Sequence, residues 1–324
     1  MAMEVVYGID NYTSGQPSCV TVGTFDGLHI GHRKILRCLV DTARASGLRS
    51  VVITFDPHPR QVLCPGAPVA FVLTQAEKIE AFGGLGIGCL VVHPFSMEFA
   101  GLSAEEFLHH TLVSRLNMRH LVKGFNNHFG CDRLSDVSSI RMIGSRAGFG
   151  VTQVEAEKSG DVQASSTLLR QLIKKGSVRD ANRILGYPFP ISGVVAHGRR
   201  IGRRIGFPTA NIDVGDACKL IPAAGVYAAV AEIGGRMYAV MLNIGSNPTV
   251  NSDGSVLMLE AHIIGYSGDL YGRRICVRLI EHLREECKFP SLDALQVQLK
   301  SDQESVSAIC RREFPQIEAY TRSR

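Results

Sequence analysis

Residues 23–32 read GTFDGLHIGH, and this stretch decides the fold of the N-terminal half of the chain. Just before it lies a short apolar, β-favouring run, Cys19-Val20-Thr21-Val22. Just after it, Ile35, Leu36, Leu39 and Val40 are apolar while Arg33, Lys34 and Arg37 are polar, a helical spacing. A buried strand, a tight glycine-containing turn and a helix beginning near Ile30 make an anion-binding geometry. The helix N-terminus offers unpaired N–H groups and the positive end of its dipole, and glycines let a phosphate come close to the backbone. His29 and His32 are three residues apart and share one face of the first helical turn. Each imidazole can donate a hydrogen bond to a phosphate oxygen and carry charge as phosphoryl charge develops. A lone histidine at a helix start is an ordinary cap. Two around a glycine, directly after a strand and a Gly-Thr-Phe-Asp-Gly turn, point to chemistry.

Working outward, Ser50–Phe55 (SVVITF) is predicted as a second buried strand, ending in Asp56-Pro57-His58-Pro59. Thr74 caps a helix over 75–82, and Cys89–His93 makes a third strand. Ser103 and Glu106 form a capping box that opens a helix over 104–116. A fourth strand, 120–123, runs into the loop Gly124-Phe125-Asn126-Asn127-His128-Phe129-Gly130, and a fifth covers 148–154. Strands alternating with helices predict an α/β fold, a doubly wound parallel sheet with ligands beyond the carboxyl ends of its strands. Asp56, His58 and the 126–129 loop then share a rim with His29 and His32. Gly83, Gly84, Gly86 and Gly88 imitate a dinucleotide loop but follow a helix and precede a strand, so they read as a helix end and a connection.

Ser165-Ser166-Thr167-Leu168-Leu169-Arg170 opens the next helix, with Arg170 one turn on from the hydroxyls, a spacing that suits the β- and γ-phosphates of a triphosphate. Gly186-Tyr187-Pro188-Phe189-Pro190 reads as a linker, and beyond it the texture changes. Short β runs at 192–196, 226–233, 237–243, 258–263 and 275–281, separated by glycine-rich turns, predict a small antiparallel barrel. A terminal helix over 292–311, capped by Ser291, carries apolar residues at 292, 295, 299, 306 and 309. Residues 197–206 (HGRRIGRRIG) form a basic, glycine-punctuated loop leading into Phe207-Pro208-Thr209-Ala210-Asn211. There a hydroxyl and an amide oxygen lie two apart on an extended segment, hard oxygen ligands able to share Mg²⁺ with phosphates. The expected domains are 1–185 and 186–324.

The whole chain sets bounds. At 324 residues it exceeds one ordinary domain, and 45% hydrophobic with 20% charged residues reads as globular and soluble. No apolar run has membrane-spanning length and Met1–Asp10 is not a signal sequence, so a membrane is not an expected partner. Nine scattered cysteines without a CxxC pair argue against a zinc site or disulfide framework and fit a reducing cytoplasm. A net charge of +5, no Trp and no basic-aromatic platform favour a phosphorylated small substrate over nucleic acid.

The GTFDGLHIGH stretch resembles the HxGH nucleotidyltransferases, which transfer a nucleotidyl group from a triphosphate and release pyrophosphate. Along nearly the whole chain the sequence resembles the bacterial bifunctional riboflavin kinase/FAD synthetase family. The blocks that carry this are 23–32, TFDPHP (54–59), the 124–130 loop, SSTLLR (165–170), GRRIGFPTAN (202–211), PAAGVYA (222–228), NIGSNPT (243–249), LEAH (259–262), DLYG (269–272) and LREECKF (283–289). The resemblance implies that the N-terminal domain adenylylates FMN with ATP to give FAD and that the barrel phosphorylates riboflavin with ATP to give FMN. His29, His32, Ser166 and Arg170 would hold ATP phosphates, with Gly23, Phe25, Gly31 and Thr167 in the same nucleotide site. Asp56, Pro57, Pro59, Asn126 and Phe129 would lie on the flavin side, Asp56 and Asn126 near metal and flavin phosphate. In the kinase, Thr209 and Asn211 would bind Mg²⁺, Gly198, Arg203 and Gly206 would meet the nucleotide, Glu260 would be the base, and Arg284 and Glu286 would lie by the flavin. The sequence departs from the family at Asn126 and Asn127, where Asp and Phe are common, and at Asn247, where Arg is common. Asn126 keeps an oxygen ligand without the charge, and Asn127 lacks the stacking ring.

Two other readings remain open on sequence alone. One is a nucleotidyltransferase for another phosphorylated alcohol or acid, against which the PTAN barrel argues. The other is a nucleotide- or flavin-responsive binding protein, against which the presence of His29, His32, Thr209, Asn211 and Glu260 argues. A monomer or weak homo-oligomer is expected.

Overall fold

The computed structural model describes residues 2–197, 202, 205–246 and 257–317. The chain forms two compact units, Met1–Ser166 and Thr167–Arg324.

In the first unit, six parallel strands make one sheet: β1 (Glu4–Tyr7), β2 (Ser18–Val22), β3 (Arg49–Phe55), β4 (Cys89–His93), β5 (Met118–Gly124) and β6 (Gly150–Val154), in the order β1-β4-β3-β2-β5-β6. β2 is buried at every residue, the expected state of a central strand covered on both faces. The order runs outward from β2 through β3 and β4 on one side and through β5 on the other, so β2 and β5 flank the topological switch point, where open α/β sheets bind their ligands. Helix α1 (Ile30–Ala45) follows β2 and buries Ile35, Leu36, Leu39 and Ala43, as its periodicity predicts. A short α2 (Pro59–Leu63) follows β3, and α3 (Gln75–Gly83) opens on the Thr74–Glu77 capping box.

Ser103 and Glu106 cap their helix as expected, but Phe107–Val113 winds with π geometry, which puts Phe107, Leu108, Thr111 and Leu112 all into the core. Elements of this unit that were not foreseen include β1 at the sheet edge, α2, where the prolines at 57 and 59 were expected to hold an extended loop, short helices at Ile9–Asn11 and Met97–Ala100, a helix at Val137–Ala147 and a two-stranded hairpin, β7 (Lys158–Ser159) with β8 (Val162–Gln163).

The second unit is a closed antiparallel barrel of β9 (Phe189–Ala196), β10 (Ala210–Asp213), β11 (Gly225–Ile233), β12 (Arg236–Ser246), β13 (Leu257–Ile263) and β14 (Arg274–Arg284), in the order β10-β13-β12-β11-β14-β9. The segment expected as a linker is built in. Phe189 is fully buried at the start of β9, and Asn182, on the unforeseen helix Val178–Leu185, accepts from its backbone N–H at 2.8 Å and donates to the Leu279 carbonyl at 2.9 Å.

The terminal helix Leu292–Glu313 lies on the barrel's outer face, against Val226, Ala228, Val230, Ala239 and Met241. Its seated side is Asp302, Val306 and Cys310, whereas Leu292, expected on the apolar face, is exposed.

Candidate active sites

The first site grows from the turn between β2 and α1. Three residues there have positive φ, Phe25 (49°), Gly27 (85°) and Leu28 (39°), and two of them are not glycine, so the turn persists only because its surroundings hold it. Gly23 N–H donates to the Ile53 carbonyl at 3.0 Å, and Thr54 Oγ1 donates to the Thr24 carbonyl at 3.2 Å. The Asp26 carboxylate accepts from the backbone N–H groups of Val72 (2.9 Å) and Leu73 (3.3 Å), and Ser166 Oγ donates to the Asp26 carbonyl at 2.8 Å. These bonds tie the turn to β3, to the segment before Thr74 and to Ser166.

His29 is the N-cap of α1. Its Nδ1 accepts from His32 N–H at 3.3 Å, so its own proton resides on Nε2. The two rings stack at 3.6 Å between centroids and 18° between planes. A side chain at Gly31 would stand 3.2 Å from the His29 ring, which explains the glycine between the histidines. Burial pushes the His29 imidazole down to about 4, and burial together with His29 holds His32 well below its ordinary value. Both rings are therefore neutral hydrogen-bond donors at neutral pH, and only an anion beside them would favour the charged form expected from sequence. His32 Nδ1 is buried without a hydrogen-bond partner.

Around this centre, Phe25 is buried edge-on to both His32 and Phe82, so only its backbone faces the turn. Asp56 and Pro57 are exposed at the end of β3, and Pro59 is the first residue of α2. At the other side of the switch point Asn126 is exposed, while Phe129 is buried in stacked contact with Phe107. Asn127 has a structural use: its side-chain amide donates to the Val22 carbonyl at 2.8 Å, tying the 124–130 loop to the end of β2. Ser166 begins the helix Ser166–Lys174, in which Thr167 is exposed and Arg170 is partly buried one turn on.

Two buried lysines of the first unit escaped the sequence reading. Lys123 Nζ donates to the Ser135 carbonyl at 2.6 Å and closes the loop after β5, and Lys78 lies beneath the β2–α1 turn. A lysine at helical or strand spacing looks like a surface residue in sequence, and nothing but the fold reveals it.

The second site is a row of side chains across the barrel. Asn211 of β10 pairs with Glu260 of β13, Glu260 with Asn243 of β12, Asn243 with Val226 of β11, and Val226 with Arg284 of β14. Direct antiparallel partners share a face, and Val226 marks this one as the outer face under the terminal helix. Leu259 and Ala261 are buried on the opposite side of β13 from Glu260. Glu286 accepts from Asn243 Nδ2 at 3.4 Å. Arg284 spends its fork on Asp302 of the helix, with Nη2 to Oδ2 at 2.7 Å and Nε to Oδ1 and Oδ2 at 3.2 and 3.1 Å.

Thr209 and Asn211 flank Ala210 at the start of β10, where the His262 ring meets the Pro208 carbonyl at 2.8 Å. A side chain at Gly202 would collide with the Phe207 carbonyl oxygen, 2.2 Å away, so the approach to this segment requires glycine there. Gly206 has a φ of +84°. Gly198, Arg203 and Asn247 lie outside the described residues. Among the described residues no three His, Cys, Asp or Glu side chains form a metal-binding group. The neutral oxygens of Thr209 and Asn211 fit a hard cation that takes its remaining ligands from phosphate and water.

A strained turn before a helix N-terminus at the switch point of a parallel sheet, and a barrel with a carboxylate beside an amide oxygen, suit an enzyme of phosphate chemistry with two centres. Comparison with known proteins fits both. The FAD synthetase family model matches residues 12–168 and the riboflavin kinase model residues 185–310. The bifunctional riboflavin kinase/FMN adenylyltransferase of Pseudomonas fluorescens is 36% identical over 95% of this chain and 98% of its own, and that of Escherichia coli K12 is 36% identical over 93% and 96%. A crystal structure from Streptococcus pneumoniae, described as a macrolide-efflux protein, superposes with a TM-score of 0.86 at 33% identity, covering 94% of this chain and 99% of that one. The chain belongs to the bifunctional riboflavin kinase/FMN adenylyltransferase family, with a FAD synthetase part followed by a riboflavin kinase part. No helix among the described residues is long and apolar enough to cross a membrane.

Proposed function

We propose that residues 1–185 transfer the adenylyl group of ATP to FMN and residues 186–324 phosphorylate riboflavin with ATP. What carries this reading is that the chain holds two unlike constructions for phosphate, the stacked His29–His32 pair at a helix N-terminus and the Asn211–Glu260 pair on a barrel.

In adenylyl transfer, an FMN phosphate oxygen attacks the α-phosphorus of ATP and the bond to the β-phosphate breaks, releasing pyrophosphate. His29 donates its Nε2–H and His32 a ring N–H to the phosphates, and the backbone at Gly23, Phe25 and Gly31 lets the chain of phosphates approach. Ser166, Thr167 and Arg170 meet the departing pyrophosphate. Asp56, Pro57, Pro59, Asn126 and the segment before Phe129 line the flavin side.

In the kinase, Glu260 takes the proton of the ribityl hydroxyl as its oxygen bonds to the γ-phosphorus and ADP leaves. Thr209 and Asn211 would hold Mg²⁺, which supplies charge neutralisation on the transferring phosphate. Gly198, Arg203 and Gly206 belong to the loop over the nucleotide, and Glu286 lies by the flavin. Arg284 holds that segment in place through Asp302. The nine free cysteine thiols support action in the cytoplasm, by a monomer or weak homo-oligomer.

The test is incubation with riboflavin, ATP and Mg²⁺ and chromatography of the products. FMN followed by FAD supports the reading, and absence of either product removes the corresponding assignment.

A further inference from the structure

Lys78 is on the first turn of α3 and is 7% exposed. Its Nζ donates to Thr54 Oγ1 at 3.1 Å and to the Thr24 carbonyl at 3.4 Å. The Thr54 hydroxyl passes a further bond to the same Thr24 carbonyl, which closes a triangle at the exits of β2 and β3. The charged groups that face the ammonium are the carboxylates of Asp26, in the β2–α1 turn, and Asp56, after β3. Glu77, its neighbour on α3, is turned back to the Thr74 backbone as part of the cap.

This arrangement is poor as a stabilising device. Burial pushes Lys78 down to about 8 against the pull of the two carboxylates, so the folded chain bears a desolvation cost to keep a charge here. Nor is the lysine needed to satisfy its acceptors, since Thr54 already serves Thr24. What the charge does serve is the turn above it. Phe25, Gly27 and Leu28 have positive φ, and with Asp26 among them and Asp56 after β3 two carboxylates stand near the proposed phosphate site.

We infer that Lys78 is a positioning residue for adenylyl transfer: held between Thr24 and Thr54 and facing Asp26 and Asp56, it fixes the strained turn at the height where its backbone and the two imidazoles meet phosphate, and offsets carboxylates that would repel it. The inference rests on the adenylyl-transfer site proposed at His29 and His32. It assigns Lys78 no contact with substrate.

The experiment uses the full chain and follows FAD formation from FMN and ATP, with riboflavin phosphorylation by the same chain as reference. Lys78→Met should lower kcat for FAD formation on the order of ten- to a hundredfold, the scale of a small misplacement of reacting groups. Its melting temperature should not fall, because a buried charge has been removed. Lys78→Arg, which keeps the charge at all working pH values, should recover most of the rate. Its activity should also persist above pH 8, where the wild-type lysine begins to lose its proton. His32→Ala is measured in parallel. Undiminished FAD formation in that variant removes the site itself, whereas a dead His32→Ala beside a Lys78→Met within twofold of wild type removes the Lys78 inference alone. If Lys78→Met instead loses activity together with thermal stability, and Lys78→Arg restores both or neither, Lys78 is a structural residue and the inference is overturned. Thr54→Val, which removes one acceptor and leaves the lysine, should cost less than Lys78→Met. A larger loss there would place the positioning role on the threonine and also overturn it.

Discussion

Asn211 and Glu260 are direct cross-strand partners on β10 and β13, so the amide proposed to meet a cation and the carboxylate proposed to take a proton stand side by side. Glu260→Gln keeps size and one acceptor but cannot accept the proton. It should lower riboflavin phosphorylation about 10²–10⁴-fold, the usual range for a general base. Binding of riboflavin and ATP should change little, and FAD synthesis from added FMN should stay at the wild-type rate. A variant that makes FMN normally would send the search for the base elsewhere.

His32→Ala should abolish FAD formation while FMN still accumulates from riboflavin. The measurement is a product time course by chromatography. An equal fall in FMN production by a folded variant would show that the two assignments are not separate.

The buried His29 makes the first unit sensitive to acid. Its folded-state value of about 4 lies below the unfolded value of about 6.5, so the unfolded chain binds a proton that the folded chain refuses between them. Stability is then full above pH 6.5 and is lost as pH falls from there towards 4, by at most about 3 kcal/mol from this residue. His32 acts in the same direction. Melting temperatures across this window should fall steeply for the wild type and less so for His29→Gln.

Asp302 is a buried carboxylate that takes three bonds from Arg284 and one from Gln298 at 2.9 Å. Asp302→Ala removes the carboxylate but leaves Arg284 Nη1 on the Glu285 carbonyl and partly open to water, so the second unit should lose about 1–3 kcal/mol in a denaturant titration. Asp302→Asn, which keeps the bonds without the charge, should lose less.

The helix Val178–Leu185 decides where the chain can be cut. A fragment of residues 167–324 should fold and phosphorylate riboflavin. One of residues 186–324 lacks Asn182, leaves Phe189 N–H and the Leu279 carbonyl without that partner, and should melt lower. Equal melting temperatures would show that this helix adds nothing to the barrel.

Much of this fold was legible because its signals are local. The strand–turn–helix at 18–45, the Thr74 and Ser103 caps and the short β runs between glycine-rich turns that became β11 to β14 each follow from a few adjacent residues. What was not legible depends on partners far away in sequence. β1 is four residues long and is a strand only because β4 lies beside it. Phe189 and Pro190 look like a linker until Asn182 and β14 are in place. The two imidazoles could be read from their spacing, but their neutrality could not, because it comes from burial. Asn127 likewise looked like a missing ring and proves to be a tether to Val22.

Because the two compact units are successive parts of one polypeptide, every translated molecule carries one copy of each. The amount of this chain that is made therefore does not alter the ratio of the two units it supplies. The balance between the FMN and the FAD that it forms rests on the relative turnover of those units and on the supply of their ligands, and a substitution that slows one unit shifts that balance in a way that more of the same chain does not restore.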